Sequence, residues 1–227
     1  PMFTEEQKTL LLEMQRAGIV MFRRETIQAK YGLGSPIYLD LRDRLYGRAD
    51  LIWRIGGEFV RKIRELSSSS PSEQGVVGVP DTATPLAVAS VLYAWKEQIH
   101  PAFRYTLLRK EEKTYPSGTS SYLIGGRDSG DCECNLIDDV VASGLSKWKA
   151  LERLRSEGIE VTRIIVFLDR QQGGTELLAS EGYKVHSVFK LLDVLDLYLQ
   201  EGMIDRDQHQ RVSDFIQTHQ FEEPFWT

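Results

Sequence analysis

The stretch "CNLIDDVVASGLSKWKALERLRSEGIE" (residues 134–160) decides how the chain is read. It begins with an apolar run around Leu136 and Ile137, reaches Asp138 and Asp139, and turns through Ser143 and Gly144. A run with helical periodicity follows. A buried strand that ends on two acids and a Gly/Ser turn puts those acids where the strand leaves the core. In open α/β sheets, ligands bind beyond the carboxyl ends of the strands. The N–H groups that open the next helix favour an anion along Val141, Ala142, Ser143, Gly144, Leu145 and Ser146. The carboxylates just before them would repel a phosphate but accept hydrogen bonds from sugar hydroxyls beside it. A ribose 5-phosphate suits both halves. The same acids also read as solvated residues that stabilise the start of the following helix.

The chain has 227 residues, 41% of them hydrophobic and 27% charged, an ordinary globular composition. A formal net charge of −5 argues against a duplex nucleic-acid partner. No apolar run approaches the roughly 20 residues needed to cross a bilayer, so no membrane partner is expected. The opening "PMFTEEQKTLLLEMQ" is acidic and amphipathic rather than basic and then apolar, unlike a secretory signal. Cys132 and Cys134 make no disulfide framework and lack the neighbours of a metal site. A reducing, cytoplasmic location is the expectation.

Strand and helix patterns alternate along the rest of the chain. Residues 4–18 predict a helix with Thr4 as N-cap and Gln7 completing a capping box. Ile37, Leu39 and Leu41 alternate as in a strand, and 48–66 read as a helix. After the polar connection "SSSSPSEQG" come "VVGVP" as a strand, "PLAVASVLYAWKEQ" as a helix and "FRYTLLR" as a strand. "KEEKTYPSGTSS" reads as a long polar loop. Beyond the opening stretch, "VTRIIVFLD" and "YKVHSVF" are strands separated by a helix over 173–181, and two helices close the chain. This order predicts βαβ units and a central parallel sheet flanked by helices.

The acid-and-turn segment resembles the phosphoribosyl diphosphate (PRPP) motif of type I phosphoribosyltransferases. The runs "GSPIYLDLR" (34–42), "GVPDTATPLAVA" (78–89), "LRKEEKTY" (108–115), "IDDVVASG" (137–144) and "FLDRQQGG" (167–174) together resemble orotate phosphoribosyltransferase. The likeness is closest to the half found in eukaryotic UMP synthase, and it covers roughly residues 5–218. It implies a single phosphoribosyltransferase domain over 1–227, with a small N-terminal hood formed largely by 1–45 on a core of 46–227. No second, decarboxylase half is expected.

The implied reaction moves the phosphoribosyl group of PRPP to orotate, giving orotidine 5'-phosphate and diphosphate in pyrimidine biosynthesis. By resemblance, Arg109, Lys110 and Lys113 belong to a mobile loop that closes over the diphosphate of a neighbouring subunit, which implies a homodimer with shared active sites. Asp138 and Asp139 would hold the ribose, residues 141–146 its 5-phosphate, and Asp81 and Thr82 the diphosphate. Lys30 and Arg170 would bind orotate. Mg²⁺ is expected through the PRPP diphosphate, with no direct protein ligand. Departures from the family pattern stand at Asp81, where other members carry tyrosine or lysine, and at Ala142 and Leu145, where they carry hydroxyls. Tyr115 matches the UMP synthase form, whereas Pro116 replaces a glycine and Gln171 a glutamate. Two further readings stay open on those departures. One is a divergent phosphoribosyltransferase with another substrate, and the other a weakly catalytic protein that senses PRPP or a pyrimidine.

Overall fold

A computed structural model of the chain describes residues 2–28, 34–67, 73–117, 120–125 and 132–226. Helix α1 (Glu5–Arg16) starts at Thr4, whose hydroxyl accepts from the Gln7 amide while the Gln7 side chain accepts from the Thr4 amide. That reciprocal box satisfies two amides that would otherwise lack partners. Its buried stripe is Leu10, Leu11 and Met14. Strands β1 (Val20–Gln28) and β2 (Gly34–Leu39) pair antiparallel as a separate two-stranded sheet, and the short helix α2 (Asp43–Tyr46) leads into α3 (Ala49–Leu66).

The central sheet has the order β5-β4-β3-β6-β7-β8. Its strands are β3 (Glu73–Gly78), β4 (Ala102–Thr114), β5 (Ser120–Ile124), β6 (Cys132–Val141), β7 (Arg163–Asp169) and β8 (Val185–Lys190). All pairings are parallel except β4 with β5. The crossovers are helices α4 (Thr84–Lys96), α5 (Leu145–Ser156) and α6 (Gly174–Ser180), and helices α7 (Leu191–Gln200) and α8 (Arg206–Thr218) follow β8.

Strand alternation sorts the apolar residues into two cores. Val76, Ile137 and Ile165 face one that also holds α1, α3 and α7. Val77, Leu136 and Ile164 face the other, covered by α5 and α6. Aromatic contacts lock the first core: Phe167 lies 6.4 Å from Phe59 on α3 and 5.2 Å from Phe189 on β8, ring to ring. Tyr198 on α7 is buried and donates its hydroxyl to the Leu11 carbonyl at 2.8 Å, which ties the last third of the chain to the first helix.

The sequence pattern missed strand β1 and the β4–β5 hairpin. Residues 110–114, read as loop, extend β4, and Ser120–Ile124 return antiparallel beside it. Their side chains on "KEEKT" are exposed, so hydrophobic periodicity carries no trace of the strand. Register shifts between Leu108 and Lys113, where the hairpin leaves the sheet body.

Phe167 is 1% exposed and touches aromatic rings from two elements. Phe167→Ala is therefore expected to lower folding stability by about 3–5 kcal/mol. Urea unfolding of the two proteins checks this, and a loss below about 1 kcal/mol would mean α3 and β8 are not locked through this ring.

Candidate active site

Three strand ends meet at one edge of the sheet. The loops after β3, β6 and β7 are stitched by backbone hydrogen bonds: the Val79 amide donates to the Ile137 carbonyl at 2.9 Å, the Arg170 amide to Val141 at 3.0 Å and the Gly174 amide to Ala142 at 2.9 Å. The approach of the last pair is so close that a Cβ on Gly174 would lie 2.3 Å from the Ala142 oxygen. Gly144, at φ +82°, is the N-cap of α5 and supplies no side-chain cap to the first helical turn. Its left-handed conformation suits glycine. The amides that open α5 thus face the turn without a competing side chain, which is the arrangement an anion requires.

Asp138 and Asp139 differ sharply in surroundings. Successive strand residues point to opposite sheet faces, so Asp138 shares the Leu136 face under α5 and Asp139 the Ile137 face. The Asp138 carboxylate is buried and pairs at 2.6 Å with the ammonium of Lys147, itself buried in the first turn of α5. It also accepts from the Asp139 amide at 2.9 Å and from the Ser146 hydroxyl at 3.3 Å. Asp139 is half-buried and accepts from the Val140 amide at 2.7 Å. Burial first, and the negative Asp138 second, push its carboxyl well above the ordinary 3.8.

On the β3 side, the Pro80–Asp81 peptide bond is cis. Asp81 is exposed and forms an ion pair with Lys110 of the same chain. Tyr46, from α2, donates its hydroxyl to the Thr82 carbonyl at 2.8 Å. Burial and then the nearby Asp139 raise the Tyr46 phenol. Arg109 and Lys113 lie over the Tyr115 ring, at 6.0 and 5.6 Å from its centroid. The cations of the hairpin therefore split, with Lys110 over its own chain's β3 loop and the other two around Tyr115.

On the β7 side, Asp169 accepts from the Gln171 amide at 2.7 Å and from the Thr175 hydroxyl at 3.1 Å, fixing the turn that carries Arg170. The Arg170 guanidinium donates to the Ser35 hydroxyl at 3.2 Å, while its buried Nε has no partner among the described residues. A half-buried guanidinium with an unmatched nitrogen is the group a ligand carboxylate would complete. Lys30 lies outside the described residues. Leu145 and Ala142 are half-buried on the turn, Ser143 is buried and Ser146 exposed. Val141 is buried beneath them.

Among the described residues no group of three His, Cys, Asp or Glu side chains could hold a metal ion, and no helix is long and apolar enough to cross a membrane. Sequence reasoning missed Lys147 and Tyr46. Lys147 had a signal, because a lysine in the first turn of a helix opposes the helix dipole and needs a counterion. Tyr46 had none; its role depends on where α2 happens to lie.

Parallel strands in the order found, with the acid-and-turn loop at the end of the central strand, define a type I phosphoribosyltransferase domain. The chain is 36% identical over 192 residues to the uridine 5'-monophosphate synthase of Bos taurus, a match covering 85% of this chain and 37% of that protein. It is 31% identical over 205 residues to the orotate phosphoribosyltransferase of Chlamydia caviae, covering 87% of this chain and 89% of that one. The solved structure of Leishmania donovani UMP synthase superimposes with a TM-score of 0.74 at 27% identity, over 93% of this chain and 42% of that one. The chain belongs to the orotate phosphoribosyltransferase family. It spans well under half the length of the UMP synthases it matches, and no family model matches it.

The raised Asp139 carboxyl has a thermodynamic consequence. Below the ordinary carboxylate range the folded and unfolded chains both hold this proton. Above it the unfolded chain ionises while the folded one keeps the proton, so stability falls as pH rises through that window. Asp139→Asn removes this penalty. The variant is expected to match the parent near pH 4 and to exceed it in urea midpoint at pH 7; parallel profiles at both pH values would contradict the assignment.

Proposed function

We propose that the chain transfers the phosphoribosyl group of PRPP, bound as its Mg²⁺ complex, to orotate, releasing diphosphate and forming orotidine 5'-phosphate. The observation that carries this reading is the convergence of an uncapped helix turn, an exposed lysine and a half-buried arginine whose Nε lacks a partner among the described residues, all at one end of the sheet. Their chemistry suits a ligand that carries a phosphate, a departing diphosphate and a carboxylate. The names of the relatives agree with that choice.

In this reading the turn from Val141 to Ser146 receives the 5-phosphate through backbone amides, and Asp139 accepts from a ribose hydroxyl. Arg170, together with Lys30, takes the orotate carboxylate. Orotate N1 attacks C1 of the ribose as the C1–oxygen bond to diphosphate breaks and its electron pair leaves with the diphosphate, and the proton on N1 passes to the departing diphosphate or to water. Positive charge grows on the ribose and negative charge on the leaving group. Preorganised cations beside the leaving oxygens lower that barrier most. Lys110 is the one already held at the β3 loop, by Asp81, whose Thr82 neighbour is anchored through Tyr46. Asp81 serves as a parking partner that Lys110 exchanges for diphosphate. The hood, residues 1–45, contributes the orotate side of the cleft.

Arg109 and Lys113, turned toward Tyr115 rather than Asp81, serve the site of a second subunit. The exposed apolar residues Leu92 and Trp95 on α4 support an assembly of two chains, since large apolar side chains gathered on one helix favour a partner. The cytoplasm is the compartment that fits a substrate pair of this kind.

Orotate absorbance followed with PRPP and Mg²⁺ tests the reaction. Lys110→Ala is expected to lower turnover by about 10²–10³-fold with an unchanged urea midpoint, because an exposed ion pair adds little stability. Undiminished turnover in this variant would remove Lys110 from the mechanism. Absence of turnover in the parent, with PRPP still bound, would favour the sensing protein instead.

Ala142 and Leu145 leave the phosphate turn with backbone donors and few hydroxyls. Restoring Ala142→Thr with Leu145→Ser is expected to strengthen PRPP binding by about 2–4 kcal/mol, since the new hydroxyls enter a site that is already organised. Calorimetry checks this, and unchanged affinity in a folded variant would place the phosphate elsewhere.

A further inference from the structure

Lys147 is a buried charged group that the proposed reaction does not use. Its ammonium makes three contacts: the Asp138 carboxylate at 2.6 Å, the Ser146 hydroxyl at 3.2 Å and the Val140 carbonyl. An ammonium has three hydrogens, so these contacts saturate it. Asp138 is engaged at both oxygens, by the Asp139 amide on one and by Lys147 and Ser146 on the other. The side chains of the pair are 3% and 5% exposed. Lys147 has no hydrogen left for a ligand, and Asp138 already accepts three hydrogen bonds within the protein.

We propose that Asp138 and Lys147 form an internal clamp that holds the two ends of the phosphate turn together, leaving Asp139 as the single acid of the pair that faces the ribose. Asp138 sits on the strand side of the turn and Lys147 on the helix side, so their bond closes a loop around residues 139–146. Lys147 is a positioning residue, acting through the backbone and Ser146 rather than on substrate. The alternation of β6 supplies the reason that adjacent acids take separate roles, since it sends Asp138 under α5 and Asp139 to the opposite face. This inference rests on the PRPP site proposed above.

Breaking a buried pair by removing one partner strands the other charge and is strongly destabilising, whereas replacing both by neutral groups of similar shape is tolerated. Asp138→Asn, Lys147→Met, their combination and Asp139→Asn are compared by urea unfolding without ligand and by calorimetric titration with PRPP and Mg²⁺. Each single change in the clamp is expected to lower the urea midpoint and weaken PRPP binding. The double variant recovers the midpoint and binds PRPP within about threefold of the parent. Asp139→Asn is expected to lose about tenfold or more in PRPP affinity with no loss of midpoint.

A double variant that recovers its midpoint but binds PRPP as weakly as Asp139→Asn would overturn the proposal, because Asp138 would then be holding ribose itself. A parent that binds no PRPP would sink the proposed function, while the urea midpoints would still decide the clamp: no recovery in the double variant rejects it. The unaltered chain gives a separate readout through the ¹⁵N-labelled lysine ammonium. The Lys147 signal is expected to stay protected from exchange at saturating PRPP and Mg²⁺, and its release on binding would show Asp138 turning to the ligand.

Discussion

Strand β6 has parallel neighbours on both sides, and its ladder runs to Ile137 against β3 and to Val141 against β7. Everything at the site follows from that constraint. A central strand cannot shed its polar end to solvent at an edge, so the chain must leave the sheet at its carboxyl end and turn at once into α5. The turn is pressed between the loops of its neighbours by the Val79, Arg170 and Gly174 amides. The candidate site groups on β3, β6 and β7 are thereby brought together without any long excursion of the backbone.

The same confinement explains the charges. Two acids at the end of a buried strand face desolvation, and burial disfavours their charged forms. One is neutralised by an internal cation, Lys147, and the other carries a raised carboxyl. Arg170 shows the complementary situation, a half-buried guanidinium whose buried Nε has no partner among the described residues. Sites that store unmet polar demand in the free protein gain most when a ligand supplies the missing partners.

Much of this was legible in the sequence where local signals and tertiary demands agree. The capping box at Thr4 and Gln7 announced α1, and the apolar runs at 136–137 and 164–168 announced the inner strands. The β4–β5 hairpin was not legible, because "KEEKT" is solvated on both faces and its strand character comes only from pairing with Ser120–Ile124. Strand β1, "VMFRRETIQ", escaped for a related reason: its charged centre hides a strand that β2 defines. At the site, the acids, the turn and Arg170 could be chosen from sequence. Their inequality could not, since it needs Lys147 to reach back from α5 and Tyr46 to arrive from α2.

The central claim is that the turn between β6 and α5 is where phosphate sits. Amide hydrogen exchange, read residue by residue in the free protein and at saturating PRPP with Mg²⁺, tests it most directly. Phosphate on the turn predicts new protection concentrated at residues 141–147, whose amides open α5, with lesser change at the far ends of the sheet. Saturated binding by calorimetry with no added protection there would contradict the claim.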